Sequence, residues 1–231
     1  MKRRRFITGL MAGVLLYRRA PAILIGARGG EPGGPNQSLP YDRLCKYIRF
    51  HQNSNSSIGS WIDTGISSKS VRVVAKFRTV VNPYVSVVFG CYLRRHSDAG
   101  SNFPHCTVYN NSYYYSSDYT RENNTGNWDP NTVEIDYGNE GKFIFNSTVV
   151  GNCNTNTIGE NICIGRRTGG RGSEVGYFSS SDFYYVKIYD DGLLVRDFIP
   201  CVKDDTGMFY DAVSNTLFEN NGTSYPFGIG D

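Results

Sequence analysis

From residue 41 onward, short runs of alternating apolar and polar residues recur along the chain, separated by clusters of Gly, Asn, Ser and Asp. Alternation with a period of two places successive side chains on opposite faces of a strand, so each run predicts a half-buried β-strand. No stretch shows the apolar spacing of an amphipathic helix. Roughly eleven such runs, spaced about 8–20 residues apart, predict a β-sandwich or jelly roll.

Two turn signals in the last third of the chain predict antiparallel pairing there. Asp191-Gly192, within "YDDGLLV", joins two alternating runs and is typical of a tight β-hairpin. Ser214-Asn215, within "YDAVSNTLF", predicts a second hairpin. The composition agrees with this interpretation, because 17 Tyr and 13 Phe against 3 Met favour strands over helices.

The N-terminal segment differs from the rest of the chain. Lys2 to Arg5 form a basic cluster, and Ile7 to Tyr17 form a mostly apolar run that is too short to span a bilayer. Two interpretations remain open. The segment is either a signal peptide with a small-residue cleavage site at Ala20–Ala22, or a retained basic arm that docks onto a larger assembly.

The composition therefore predicts three regions. Residues 1–28 form the basic and apolar N-terminal arm or signal, and residues 29–40 form a Gly- and Pro-rich linker. Residues 41–231 form one folded β-domain.

The net charge of +3 comes from the N-terminal segment. Residues 1–30 hold seven basic residues and no acidic ones, so residues 31–231 hold 17 of the 24 basic residues and all 21 acidic ones, a balance of −4. A mildly acidic body does not predict a phosphate-binding surface, so no specific nucleic-acid partner is expected.

The cysteines and histidines do not predict a metal site. None of the six cysteines forms a C-x-x-C pair, and the three histidines are scattered. Disulfides in an oxidising compartment and free buried thiols are both compatible with the spacing. The cysteines are Cys45, Cys91, Cys106, Cys153, Cys163 and Cys201.

Three segments resemble a known fold family. "NWDPNTVEIDYGNEGKFIFNSTVV", which contains Trp128, resembles the centre of a laminin-G-like, concanavalin A-like jelly roll. Trp61–Gly65 ("WIDTG") and Val195–Phe218 resemble the opening and closing motifs of a subgroup encoded by anaerobic gut bacteria and their phages. The resemblance covers residues 41–231 and implies an all-β, concanavalin A-like (laminin-G-like) jelly-roll β-sandwich after a basic N-terminal extension. It implies that Trp128 is structural, and Trp61 is likewise expected in the core.

The acidic segment "VEIDYGNE" raises the question of glycosidase activity, since enzymes of this fold carry their catalytic carboxylates on one strand. Glu134 and Asp136 share a face, but Glu140 comes one residue too late and falls in the "GNEG" turn. A catalytic acid in a turn would be solvated. The segment is therefore predicted to be an ordinary hairpin with inward Val133, Ile135 and Tyr137, and outward Thr132, Glu134 and Asp136.

Two stretches offer side chains that could bind a ligand. Tyr113 and Tyr115 in "YNNSYYYSSDY" share one strand face and could stack on sugars, although tyrosine-rich alternation is also ordinary sheet surface. Arg166, Arg167 and Arg171 lie in "IGRRTGGRGSEVG", which is predicted to be a flexible basic loop. They could hold an acidic sugar or remain solvated.

The predicted function is non-catalytic binding of a glycan or a cell-surface polysaccharide. The alternative is a phage virion structural or decoration protein, a capsid or tail knob whose residues 1–30 contact other virion or envelope proteins. A glycosidase is the remote alternative. The predicted location is the virion surface, or the cell surface after export. No cofactor is expected, although calcium occurs in some laminin-G relatives and the acidic turns at Asp190-Asp191 and Asp204-Asp205 offer oxygen ligands.

Overall fold

The computed structural model describes the parts of the chain that form the β-domain. The described residues are 39–52, 59–66, 71–80, 86–91, 105–109, 112–115, 120–123, 130–136, 141–152, 161–167, 177–222 and 225–231. The predictions for residues 1–28 and for most of the linker lie outside these ranges and stay predictions. Within the described ranges, no helix is long and apolar enough to cross a membrane.

All regular structure among the described residues is β-strand. The first strands are β1 (Arg43–Leu44), β2 (Tyr47–Arg49), β3 (Ile62–Asp63), β4 (Val71–Thr79), β5 (Ser86–Cys91), β6 (His105–Tyr109), β7 (Ser112–Tyr115), β8 (Thr120–Asn123), β9 (Asn131–Asp136) and β10 (Lys142–Phe145). They are followed by β11 (Thr148–Asn152), β12 (Ile162–Ile164), β13 (Arg166–Arg167), β14 (Tyr177–Phe178), β15 (Ser181–Asp190), β16 (Leu193–Lys203), β17 (Thr206–Asp211), β18 (Thr216–Phe218) and β19 (Gly228–Gly230).

The strands form two main antiparallel sheets and one small one. The large sheet has the order β11-β10-β9-β4-β15-β16-β17-β18, with β1 beside β16, β2 beside β15, and β19 beside β2. The second sheet has the order β3-β12-β5-β6-β7-β8, and β13 pairs with β14 separately. Neighbours such as β4 and β15 are more than 100 residues apart in sequence, which is typical of jelly-roll connections rather than of simple hairpin meanders.

The core lies on the inward face of the large sheet, where alternation along the strands predicts it. Burial alternates residue by residue along β4 and β9, so that Val73, Phe77, Val133 and Ile135 are fully buried. This confirms the predicted inward positions of Val133 and Ile135, whereas Tyr137 lies outside the described residues. Seven phenylalanines are the largest fully buried side chains, and each contributes about 1.5–3 kcal/mol by leaving water. They are Phe50, Phe77, Phe89, Phe143, Phe183, Phe198 and Phe209.

Tight turns with positive φ close the hairpins. Asp191 and Gly192 have φ of 46° and 80°, as the predicted Asp-Gly hairpin between β15 and β16 requires. Asp204 and Asp205 have φ of 47° and 57° between β16 and β17, so their short polar side chains suit a left-handed turn. The positions of Asp191, Asp204 and Asp205 are thus explained by turn geometry.

The "WIDTG" motif joins the start of the domain to its end. The Asp63 carboxylate accepts hydrogen bonds from the Gly65 amide at 2.9 Å and the Asn161 side chain at 3.0 Å. The backbone N–H groups of Asp63 and Trp61 donate to the side chains of Asn221 at 2.8 Å and Asn220 at 3.0 Å. The motif therefore has a structural role, since it fixes the C-terminal segment beside β3.

Four cysteines fall on residues whose side chains are described, and none of the four forms a disulfide with another of them. Cys106, Cys163 and Cys201 are buried, and Cys45 is half-buried. Burial raises the pKa of Cys201 to about 12 and that of Cys45 to about 11, so both thiols stay protonated at neutral pH.

Candidate binding face of the large sheet

The outward face of the large sheet carries basic and aromatic side chains around β4. Because the odd-numbered residues of β4 are buried, its outward positions are Arg72, Val74, Lys76 and Arg78. Three of these four are cations. An exposed strand needs polar outward residues, but it does not need a nearly continuous row of one charge.

A β-bulge in β15 adds aromatic rings beside this row. Phe183 pairs with Phe77 and Tyr185 pairs with Lys76, which leaves Tyr184 as the extra residue. A bulge interrupts the alternation of faces. Tyr184 and Tyr185 are consequently both half-buried, between the buried Phe183 and Val186.

Asp182 lies between Arg49 and Arg78, at one end of the outward face. Its carboxylate has no exposed surface and accepts hydrogen bonds from Arg49 Nε at 2.6 Å and Arg49 Nη2 at 3.1 Å. It also accepts from Arg78 Nε at 3.2 Å and Arg78 Nη2 at 2.5 Å. These hydrogen bonds raise the pKa of both arginines above the ordinary value, so both remain charged.

Two tyrosine rings lie among these charges. The rings of Tyr47 and Tyr184 have centroids 5.6 Å apart. The guanidinium carbons of Arg49 and Arg78 lie 5.5 Å and 5.6 Å from the Tyr47 centroid, and Lys76 Nζ lies 5.8 Å from that of Tyr184. We call these residues the outer-face cluster: Tyr47, Arg49, Lys76, Arg78, Asp182 and Tyr184.

The outer-face cluster offers recognition chemistry rather than acid–base chemistry. Burial raises the pKa of Tyr184, so its hydroxyl is neutral. His51, beside the cluster, has a lowered pKa because it is partly buried and lies near Arg49. The cluster therefore presents aromatic rings, N–H donors and hydroxyl groups, which are the groups that hold a polar ligand in a shallow site.

The other end of the same face carries the acidic strand β9. Glu134 and Asp136 are half-buried and face outward, as predicted. Arg72 Nη1 donates to Glu134 Oε1 at 3.2 Å, and the Arg72 guanidinium lies 4.0 Å from the Tyr189 ring centroid. Glu134 is therefore held in an ion pair, and Glu140 lies outside the described residues.

The tyrosines proposed from the sequence lie in the second sheet. The backbone of β7 pairs Tyr113 with Val108 and Tyr115 with Cys106. Both partners are buried. The side chains of Tyr113 and Tyr115 lie outside the described part of the structure, so their role in binding stays a prediction.

The predicted basic loop is in part a strand. Arg166 and Arg167 form β13, which pairs with Tyr177–Phe178 and follows Gly165, a residue with φ of 76°. The Arg166 guanidinium lies 4.5 Å from the Trp61 centroid, so Arg166 packs against a half-buried aromatic ring. The side chain of Arg167 and all of Arg171 lie outside the described residues.

Sequence reasoning did not find the outer-face cluster. The outward Arg, Lys and Arg of "VRVVAKFRTV" were visible as a pattern, and "DFYYVK" breaks the alternation with two successive tyrosines. Asp182 and Arg49 are 133 residues apart, so only the pairing of β2 with β15 brings them together. No group of three or more potential metal-ligating side chains occurs within the described ranges.

Comparison with known proteins identifies the fold. No family model and no curated protein matches the sequence significantly. The structure is similar to a crystallised candidate carbohydrate-binding protein from Bacteroides ovatus, with a TM-score of 0.52 and 11% identity over 82% of this chain. The match covers 61% of that protein, so this chain spans about three fifths of its length. Domains LG4-5 of the mouse laminin α1 chain match with a TM-score of 0.41 and 9% identity, covering 84% of this chain and 74% of theirs.

The antiparallel sheets and the first of these likenesses confirm the predicted fold class, an all-β jelly-roll β-sandwich. At these identities the comparisons establish the fold alone.

Proposed function

We propose that this chain is a non-catalytic carbohydrate-binding module and that the outer-face cluster is its ligand site. The observation that carries the proposal is the pair of tyrosine rings, Tyr47 and Tyr184, on an outward sheet face among oriented hydrogen-bond donors. An aromatic ring can lie against the apolar face of a sugar while neighbouring polar groups bind its hydroxyls. The name of the Bacteroides ovatus protein, which shares this fold, supports the same class of ligand.

The carboxylates of this face support the non-catalytic part of the proposal. Retaining glycosidases need two carboxyl groups about 5 Å apart, one of them available as an acid. Here Asp182 is held by two arginines and Glu134 is paired with Arg72. Both carboxylates are thus engaged by cationic side chains. The virion role predicted from the sequence stays a prediction, and it concerns residues 1–30.

A glycan array probed with the full chain tests the proposal, once with calcium and once with a chelator. We expect specific binding to at least one glycan class. Tyr47→Ala and Tyr184→Ala should each weaken binding about three- to tenfold, since a stacked ring contributes about 0.5–1.5 kcal/mol. Tyr225→Ala, outside the strands of the large sheet, is the matched control and should bind normally. The proposed site would be refuted if no glycan bound under either condition, or if Tyr47→Ala and Tyr184→Ala both bound glycans as tightly as the wild type.

A further inference from the structure

We propose that the outer-face cluster recognises an anionic saccharide, a sugar that carries a carboxylate or a sulfate ester. This inference rests on the proposed carbohydrate-binding function and specifies its ligand class. Its basis is the charge balance of the cluster. Arg49 and Arg78 share one carboxylate, Asp182, and Lys76 adds a further cation over the Tyr184 ring, so the three cations and one carboxylate of the cluster leave two positive charges in excess.

The excess charge is held in place and reaches solvent. Asp182 binds Nε and Nη2 of both arginines, which fixes the plane of each guanidinium. The side chains of Arg49 and Arg78 are nevertheless 33% and 35% exposed. Within the described residues, Nη1 of neither arginine has an acceptor, so these N–H groups remain for a ligand. Because the fold has already oriented them, binding loses little side-chain entropy.

Lys76 adds a third cation, and no counter-ion for it lies among the described residues. Its ammonium group lies over the Tyr184 ring, and among the described residues no carboxylate lies within ion-pair distance of it. A ligand anion between Lys76 and the two guanidinium groups would complete the charge balance. A sugar ring attached to that anion would lie beside Tyr47 and Tyr184.

The charge distribution along β4 places the anion at one end of the face. Arg72 and Arg78 are six residues apart, about 20 Å along a strand. Arg72 is paired with Glu134, and Asp136 also faces outward beside it. The face therefore changes from cationic near Arg78 to balanced or acidic near Arg72. This change favours one localised anionic group over the evenly spaced phosphates of a nucleic acid.

Binding of the full chain to four probes tests the inference by calorimetry at low and moderate salt. The probes are polygalacturonate, dextran sulfate, unmodified dextran and oligothymidylate. We expect binding to polygalacturonate, to dextran sulfate or to both, weakening as salt rises, and no binding to dextran. Binding to only one of the acidic polysaccharides supports the inference and identifies the anionic group as a carboxylate or a sulfate.

Charge-removing variants locate the site. Arg49→Gln and Lys76→Gln should each lower the affinity for the acidic polysaccharide about tenfold, since a charge-assisted hydrogen bond contributes about 1.5 kcal/mol or more. Lys203→Gln removes the same charge at the distant β16–β17 turn and should change affinity less than about twofold. Within the described residues the Lys76 ammonium group contacts the Tyr184 ring and forms no ion pair, so Lys76→Gln should fold normally even if Arg49→Gln is destabilised.

Four results would overturn the inference. Equal losses in Lys76→Gln and Lys203→Gln would mean that net charge alone drives binding. Oligothymidylate bound as tightly as either polysaccharide would indicate a nucleic-acid surface. Tyr47-dependent binding of neutral glycans on the array, without binding of either acidic probe, would reject the anionic ligand and leave the proposed function intact. If the chain bound no glycan at all, both the anionic ligand and the proposed carbohydrate-binding function would be rejected.

Discussion

Two fully buried carboxylates on the large sheet, Asp182 and Asp211, accept hydrogen bonds from different kinds of donor. Asp211 Oδ1 accepts hydrogen bonds from the backbone N–H groups of Asp197 at 2.8 Å and Val213 at 3.1 Å. Its Oδ2 accepts from the Ser214 N–H at 3.3 Å and the Ser214 hydroxyl at 2.6 Å. Most of the hydrogen-bond donors to Asp211 are main-chain groups of its own turn and of the adjoining strand.

Asp182 is bound by side chains alone in the hydrogen bonds that the structure shows for it. Its donors are Arg49 on β2 and Arg78 on β4, and both extend to the surface. The difference separates two uses of a buried charge. A carboxylate that binds backbone amides fixes the path of the chain, whereas one that binds long cationic side chains fixes the arrangement of a surface.

Asp211→Asn should have the largest effect on stability. An amide NH2 would replace an oxygen that accepts two hydrogen bonds from Ser214, and Arg196, whose Nε lies 3.7 Å from Asp211 Oδ2, would lose its anionic neighbour. We expect a loss of about 3 kcal/mol in the free energy of unfolding. Urea unfolding of the full chain measures it.

Asp205→Asn is the matched control for Asp211→Asn, since Asp205 is exposed in a left-handed turn that asparagine also tolerates. It should change stability by less than about 0.5 kcal/mol. Equal losses in the two variants would remove the distinction between a turn-fixing carboxylate and an ordinary surface one.

Asp182→Asn should destabilise less, by about 1–2 kcal/mol. The arginines that it leaves behind are about one-third exposed, so water can solvate their charge. The same substitution should weaken ligand binding more strongly than it lowers stability, because Arg49 and Arg78 lose the carboxylate that orients them both. Urea unfolding and the binding assay, run on the same variant, separate the two effects.

Asp42→Asn breaks an exposed pair with Lys203 and serves as the control for Asp182→Asn. It should leave both stability and binding nearly unchanged. If Asp182→Asn is destabilised but binds the ligand with wild-type affinity, Asp182 is a structural residue like Asp211, and the comparison fails.

Local patterns in the sequence were sufficient to predict the strands near Asp136. The predicted inward residues Val133 and Ile135 lie on β9 (Asn131–Asp136), which pairs with β10 (Lys142–Phe145) as the predicted hairpin requires. Alternation and turn chemistry depend on neighbouring residues, so they are visible in one sequence. Arg166 and Arg167 belonged both to a short apolar run, "NICIGRR", and to a predicted basic loop, and in the structure they form the two-residue strand β13.

The outer-face cluster could not be predicted because its assembly depends on tertiary structure. Pairing of β2 with β15 joins Arg49 to Asp182, and the bulge at Tyr184 reverses the expected facing of the residues around it. Neither feature follows from the spacing of residues along one strand. The tyrosines and arginines chosen from the sequence were local clusters, whereas the cluster in the structure collects two residues from each of three strands, β2, β4 and β15.

Ser214→Ala tests whether side-chain or backbone donors hold Asp211, because it removes one side-chain donor and keeps the backbone donors. The hydroxyl donates to Asp211 Oδ2 at 2.6 Å, but Oδ2 retains the Ser214 N–H. We expect a loss of about 1 kcal/mol in urea unfolding, the contribution of a typical hydrogen bond. Thr206→Ala, which removes an exposed hydroxyl bonded to a turn carbonyl, should cost less. A loss in Ser214→Ala as large as that in Asp211→Asn would mean that the side chain, and not the backbone, is the essential partner.

The smallest change in stability should come from pH, through the titration of His51 beside the outer-face cluster. Partial burial and the nearby Arg49 lower the pKa of His51, while the charge of Asp182 opposes them. As pH falls below the ordinary histidine value near 6.5, the unfolded chain takes up a proton that the folded chain still refuses. Stability should therefore be complete above that pH and decline as pH falls toward the lowered pKa.

The contribution of His51 is the difference between the wild type and His51→Gln, measured by urea unfolding at several pH values from 7.5 to about 5. His96 and His105 are present in both proteins, so their titration cancels in this difference. We expect the stability advantage of the wild type to shrink with acidification. If the stability advantage of the wild type grew on acidification instead, the attraction of His51 to Asp182 would outweigh burial and the repulsion from Arg49. The two arginines would then neutralise the Asp182 charge less completely than the geometry indicates. The sign of this small pH effect thus reports on how the charge of Asp182 is shared.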